Sequence, residues 1–208
     1  MRIQLSSQIK SRIFVPLAAW KLRYVCPLSH DFYNWLKEYY MRKLSNPWVK
    51  IHDYKCFGCA PQNDCGLKME FYQDTDEVLS VVRLDPKYQG WIDTLHGGIQ
   101  SVMLDEICAW ASIRHTGSTG VTMSMETHFR KSVHTTDRYV VLRAKVIEER
   151  RNILTLVATL SDCEGNICSE AKCVYYMFPP DKARSMGFEQ CEPYGEDLSL
   201  EQVVALYE

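Results

Sequence analysis

At 208 residues, with 46% hydrophobic, 12% aromatic and 24% charged side chains, the chain has the composition of one globular domain with a full core, which excludes collagen-like, coiled-coil and disordered readings. A net charge of −2 and a pI of about 6.3 give no overall field for nucleic acid or an anionic membrane, and no run approaches the roughly 20 apolar residues of a spanning helix. Nine cysteines, an odd number with no secretory signal before them, read as free thiols of a reducing compartment, so the expected location is cytoplasmic.

Residues 1–40 carry six Lys or Arg against two acids, leaving 18 basic and 24 acidic groups on residues 41–208. This N-terminal extension has two readings, a basic docking arm or sequence upstream of a natural start at Met41. A Cys-rich lead-in over 41–65 precedes the main domain, expected over 66–180. There, Leu67 to Tyr72 and Val78 to Leu84 alternate as strands around the turn Asp74-Thr75-Asp76. Apolar Ile99, Val102, Met103, Ile107 and Trp110 recur at three- and four-residue steps, which predicts a helix from Gly97 to Ile113. Strands follow over Gly120 to Val133, Tyr139 to Ile147, Ile153 to Ser161 and Ile167 to Phe178, and Pro179-Pro180 ends the sheet. In the extension 181–208, Ser199 and Gln202 form a capping box and Leu198 can staple onto Val203, so a short outer helix closes the chain. About six strands and one long helix make an α+β fold, an antiparallel sheet wrapped around that helix.

The chemistry concentrates in Leu95-His96-Gly97-Gly98-Ile99-Gln100-Ser101-Val102-Met103-Leu104-Asp105. Glycines at a helix start let another molecule approach the backbone, where first-turn N–H groups lack intrahelical partners and the helix end is partly positive. Such an end suits a carbonyl that becomes an oxyanion on attack. Asp105 lies seven residues past Gly98, on the face of Gly98, Ser101 and Ser112. It reads either as a carboxylate satisfied by hydroxyls or solvent, or as a general base or nucleophile. Those seven residues rise about 10 Å. Within one helix a fully stretched, water-bridged path just spans that distance; two antiparallel copies across a two-fold axis span it more easily, with one subunit's glycine amides opposite the other's Asp105.

These residues resemble the His-Gly-Gly hotdog-fold acyl-CoA thioesterases, the phenylacetyl-CoA thioesterase-like (PaaI-like) group. The resemblance runs through Cys56-Phe57-Gly58-Cys59, Asn63, Gly66-Leu67, Gly90-Trp91, Leu95-His96-Gly97-Gly98, Leu104-Asp105, and Gly120-Val121-Thr122 with Phe129. It implies a hotdog dimer, often a tetramer, that hydrolyses an acyl- or aryl-CoA without cofactor or metal. Asp105 falls on the catalytic carboxylate, Gly97 on the amide donor to the thioester carbonyl, His96 on the histidine at the helix entry, and Thr122 on a hydroxyl that orients water or the acid. Gly98 is assigned to the substrate. Gly90 departs from members that carry Asn six residues before the histidine, which removes one water-positioning side chain. An acyl-CoA sensor or scaffold without turnover, and a hotdog enoyl-CoA hydratase, are the rival functions. Neither nucleic acid nor a membrane is an expected partner.

Outside this segment, His52, Cys56, Cys59 and Cys65 have compact soft-ligand spacing. They read as a zinc set or as small buried thiols; the resembling family shows the same lead-in without implying metal, and no metal is assigned. Cys108 lacks a histidine partner and reads as packing. Arg130 and Lys131, after the strand bearing Thr122, are assigned to the phosphates of coenzyme A. Met103, Trp110, Met123 and Met125 read as core before pocket.

Overall fold

The computed structural model describes residues 41–207, so the two readings of 1–40 lie outside the described residues. The strands are β1 (Met41–Leu44), β2 (Tyr72–Asp74), β3 (Glu77–Arg83), β4 (Gln89–Trp91), β5 (Thr94–Leu95), β6 (Gly120–Phe129), β7 (Tyr139–Arg150), β8 (Ile153–Ser161), β9 (Ile167–Met177) and β10 (Pro193–Leu198). The helices are α1 (Gly97–Thr116), α2 (Pro180–Ser185) and α3 (Leu200–Ala205). Eight strands form one antiparallel sheet in the order β10-β1-β2-β3-β7-β8-β9-β6, two more than the six read from the sequence. The additional β1 and β10 are short and charged, and β10 begins at a proline. They pair with each other at the sheet's end, where Arg42 Nε meets Asp197 Oδ1 at 2.6 Å. No described helix is long and apolar enough to cross a membrane.

Helix α1 lies on one face of the sheet against β3, β6, β7, β8 and β9. Its buried Met103, Leu104, Ile107, Cys108, Trp110 and Ile113 meet Leu154, Leu156 and Leu160 of β8, which alternate inward along that strand. Trp110 stacks on Phe71 with ring centroids 4.1 Å apart. The helix outruns its apolar stripe by one turn and stops at Gly117, whose left-handed backbone donates to Ile113 O.

The expected strand over Leu67 to Tyr72 is only in part a ladder. Leu67, Met69 and Phe71 are buried in alternation, yet Leu67 N–H and Met69 N–H donate to Phe57 O and Gly58 O, each at 2.8 Å, and strand pairing begins at Tyr72. Alternation reports which face is buried; it does not report what the backbone bonds to. This extended run ties the Cys-rich lead-in to the core.

β3 is buried on both faces. Val78 and Val82 join the core under α1, while Leu79 and Val81 join Met41, Tyr72, Tyr139 and Val203 on the outer face. Helix α3 covers that outer cluster, its capping box formed by Ser199 and Gln202 as the sequence predicts.

At the β8–β9 turn, Asp162 is buried and accepts from Lys131 Nζ at 2.9 Å, Glu164 N–H at 3.1 Å and Asn166 N–H at 2.9 Å. Burial works against its charge, but Lys131 and Asn166 overcome it and hold the carboxyl well below the ordinary carboxylate range. The contribution to stability is therefore full above that ordinary range and drains away as pH falls below it toward the lowered value of the folded state. Asp162→Ala is expected to cost about 2–3 kcal/mol at neutral pH by urea unfolding. Asp162→Asn should flatten the loss of stability of the wild type below about pH 4. An unchanged acid limb would remove Asp162 from that role.

Candidate active site

At the entry to α1, His96 is the N-cap. Its Nδ1 accepts from Gly98 N–H at 2.8 Å, which leaves the ring proton of a neutral imidazole on Nε2, and its own N–H donates to Tyr88 O at 2.9 Å. The Gly98 amide is thus taken up by the cap. Of the two glycine amides, Gly97 N–H is the one without an acceptor among the described residues. The Phe129 ring lies against Gly97, 3.3 Å from where a Cβ would stand. The His96 ring fills the space above Gly90, where a Cβ would come within 2.8 Å of Cδ2. Any side chain at position 90 would displace the cap, which is a physical reason for glycine where some resembling proteins carry Asn.

Two turns along α1, half-buried Asp105 faces the sheet edge. Its Oδ1 accepts from Thr122 Oγ1 at 2.8 Å and from Tyr175 Oη at 2.6 Å; no described residue donates to Oδ2. The sheet explains the convergence, because Thr122 of β6 and Tyr175 of β9 are direct cross-strand partners and project to one face. The register shifts between Thr122 and Ser124, a bulge at Met123 just beside the site. Tyr175 also reaches Asp105 O at 2.7 Å, and burial together with the Asp105 charge pushes its phenol above the ordinary range, so it stays a donor.

Sequence reasoning missed Tyr175. The register pairing it with Thr122 depends on how β9 docks, and nothing in Val174-Tyr175-Tyr176 tells which tyrosine faces inward. The other assignments fall as follows. Cys108 is fully buried near Cys173, consistent with packing. Met103 and Trp110 are core, whereas Met123 is 58% exposed on the outside of β6. Arg130 Nε lies 3.0 Å from Glu170, and Lys131 is bound to Asp162.

The four-residue soft-ligand set is not assembled. His52 stands exposed beside Asp53, and Cys65 is exposed. Cys56 and Cys59 instead meet Glu106 of α1, whose Oε1 accepts from Trp110 Nε1 at 3.2 Å. Burial, with the charge of Cys56 added, pushes Glu106 up to about 7, while a hydrogen bond from Cys59 brings Cys56 down to about 5. These three residues and Tyr175 line a cavity of about 220 Å³ walled by Trp48, Tyr54, Trp110 and Ile113.

Residues 93–169 match the family model described as "Thioesterase superfamily". No curated protein matches the chain by sequence. Among solved structures, a thioesterase superfamily protein is 20% identical with a TM-score of 0.52, over 56% of this chain and 57% of its own. The chain thus spans little more than half of that relative. A thioesterase from Haemophilus influenzae is 20% identical with a TM-score of 0.50, over 54% of this chain and 79% of its own. A Streptococcus mutans protein solved with acetyl-CoA is 16% identical with a TM-score of 0.52, over 63% of this chain and 98% of its own. At such identities the likeness is one of fold.

Proposed function

We propose that this chain hydrolyses an acyl-CoA or aryl-CoA thioester to the free acid and coenzyme A, because residues 93–169 match the thioesterase superfamily model and the chain shares the fold of solved thioesterases. One observation carries this: Asp105 has one oxygen fixed by Thr122 and Tyr175 and the other without a partner. A carboxylate held that way keeps its orientation and still has a basic oxygen to offer. Gly97 N–H polarises the thioester carbonyl, and Asp105 Oδ2 takes a proton from water as the water oxygen adds to the carbonyl carbon. The C–S bond then breaks, and the departing thiolate recovers the proton.

Gly97 and Asp105 are eight residues apart, about 12 Å of helix rise, so the two roles fall to different protomers of a homodimer. Supporting this, β6 is an open sheet edge with Val121, Met123 and Phe129 exposed at 48%, 58% and 54%, and the β4–β5 tip exposes Trp91 and Ile92 at 77% and 74%. A homotetramer would pair two such dimers. Of the two cations assigned to coenzyme A, Arg130 is the better placed: its pair with Glu170 is exposed and exchangeable, while Lys131 is held by a buried carboxylate.

The test is free-thiol release from a panel of acyl- and aryl-CoAs, read beside equilibrium binding and the absorbance of an enoyl-CoA. Thiol release supports hydrolysis. Binding without release would make the chain a binding module, and loss of enoyl absorbance without release a hydratase. Thr122→Ala is expected to lower kcat about 10-fold with KM little changed, since it removes one of two donors to Oδ1. An unchanged kcat would assign the orientation of Asp105 to Tyr175 alone.

A further inference from the structure

Glu106 presents a problem that hydrolysis does not solve. Its side chain is half-buried, and its described partners are the Trp110 indole and the thiols of the Cys56-Cys59 turn; no Lys or Arg among the described residues pairs with it. Burying a carboxylate beside two thiols without a cation is costly. The local structure is nevertheless shaped for the arrangement. The carboxylate sits directly against Gly58, where a Cβ would come within 2.4 Å of Glu106 Oε2, so a side chain in the middle of the Cys-x2-Cys turn would push Glu106 out of this position. One sulfur of Cys56, one of Cys59 and one carboxylate oxygen of Glu106 all lie within 4.8 Å of one another.

We propose that Cys56, Cys59 and Glu106 form a zinc site, with the fourth coordination position facing the cavity that they line. The distances suit the ion. Sulfur at about 2.3 Å and carboxylate oxygen at about 2.0 Å from a tetrahedral centre stand about 3.5 Å apart, and Cys56 Sγ lies 3.5 Å from Glu106 Oε2. A Cys-x2-Cys turn supplies two thiolates from one loop, and α1 supplies the third ligand across it. The outer shell is present as well. Trp110 Nε1 holds Oε1 and turns Oε2 to the thiols, and Tyr54 Oη lies 2.8 Å from Cys59 Sγ, placed to donate to a thiolate. Three protein ligands with an opening onto a cavity make an open site, which takes water or an oxygen, nitrogen or sulfur donor entering from the cavity. The set differs from the sequence-level one, because His52 and Cys65 take no part.

The test uses the full-length chain, purified under reducing conditions, with its metal content measured by mass spectrometry. The protein is then stripped with chelator and titrated with Co2+, while thiolate-to-metal charge-transfer absorbance and the ligand-field bands of a four-coordinate ion are followed. One zinc per chain, displaced by Co2+ with both sets of bands, is expected. Cys56→Ser and Cys59→Ser should abolish the charge-transfer band, and Glu106→Gln should weaken Co2+ binding at least about 10-fold with the band shifted. Cys65→Ser and His52→Ala should leave binding unchanged. Circular dichroism identifies any variant that fails to fold; for such a variant, protection of the two thiols from alkylation by Zn2+ in the wild type gives the same answer. Substoichiometric metal in the reduced wild type overturns the proposal. So does a titration unaltered by Glu106→Gln, or a Cys56–Cys59 disulfide found in place of metal. The readout is bound metal, so its outcome is independent of whether the chain hydrolyses thioesters.

Discussion

Asp105→Ala is expected to lower kcat/KM for the preferred acyl-CoA by about 10³-fold or more while leaving the chain folded. In the proposed reaction the carboxylate accepts the water proton, and the substitution removes it. The separation of activity from stability follows from Tyr175, whose buried hydroxyl also donates to Asp105 O at 2.7 Å. That backbone oxygen survives the substitution, so the phenol is not left without an acceptor. Thr122 is exposed and can turn to solvent. Asp105→Asn is the sharper variant, since its amide oxygen can keep both hydroxyl contacts and only the basicity disappears. Thermal unfolding close to wild type, with thiol release near background, is the expected pair of results. Turnover retained by Asp105→Asn would take the carboxylate out of the reaction.

The second large effect belongs to the open edge of the sheet. Met123→Glu places a charge at the bulge on the exposed side of β6, where an antiparallel copy would have to pair, and is expected to give monomers by light scattering. Activity should fall with the assembly, because a monomer holds its own Gly97 amide and Asp105 two helical turns apart. Both hydrogen bonds on Oδ1 come from Thr122 and Tyr175, and the Met123 side chain, 58% exposed, supplies neither. Mixing a Met123→Glu preparation with excess Asp105→Asn chain and recovering turnover would show sites built from two chains. A monomer with full activity would place both roles in one protomer.

How much of this was legible in the residues depends on the kind of signal. The α+β architecture, the central helix and β8 followed from periodicity, which reflects burial on one face. The start of α1 was readable from His96-Gly97-Gly98, and Asp105 stood out as an acid in the middle of a core helix, on the face of Gly98, Ser101 and Ser112. Three features were not. β1 and β10 are too short and too charged to alternate, and exist because β1 pairs with β2 and β10 adds onto β1. Tyr175 needs the register of β9 against β6, a long-range property. The meeting of Glu106 with the Cys56-Cys59 turn needs the lead-in to fold back onto α1, which Leu67 and Met69 achieve through backbone bonds to Phe57 and Gly58 that no side-chain pattern records. The seventh position past Gly98 could be assigned a face, but its neighbours could not be named.

The sheet order β7-β8-β9-β6 has a kinetic consequence. β7, β8 and β9 form a meander of neighbours in sequence, whereas β6 precedes them all and must wait to add to the last of the three. Thr122 and Tyr175 can therefore meet only after the hairpins have zipped, and loop closure over so long a span is slow. In refolding, burial of Trp110 should be visible before turnover returns, making enzymatic recovery a clock for the final docking event rather than for collapse.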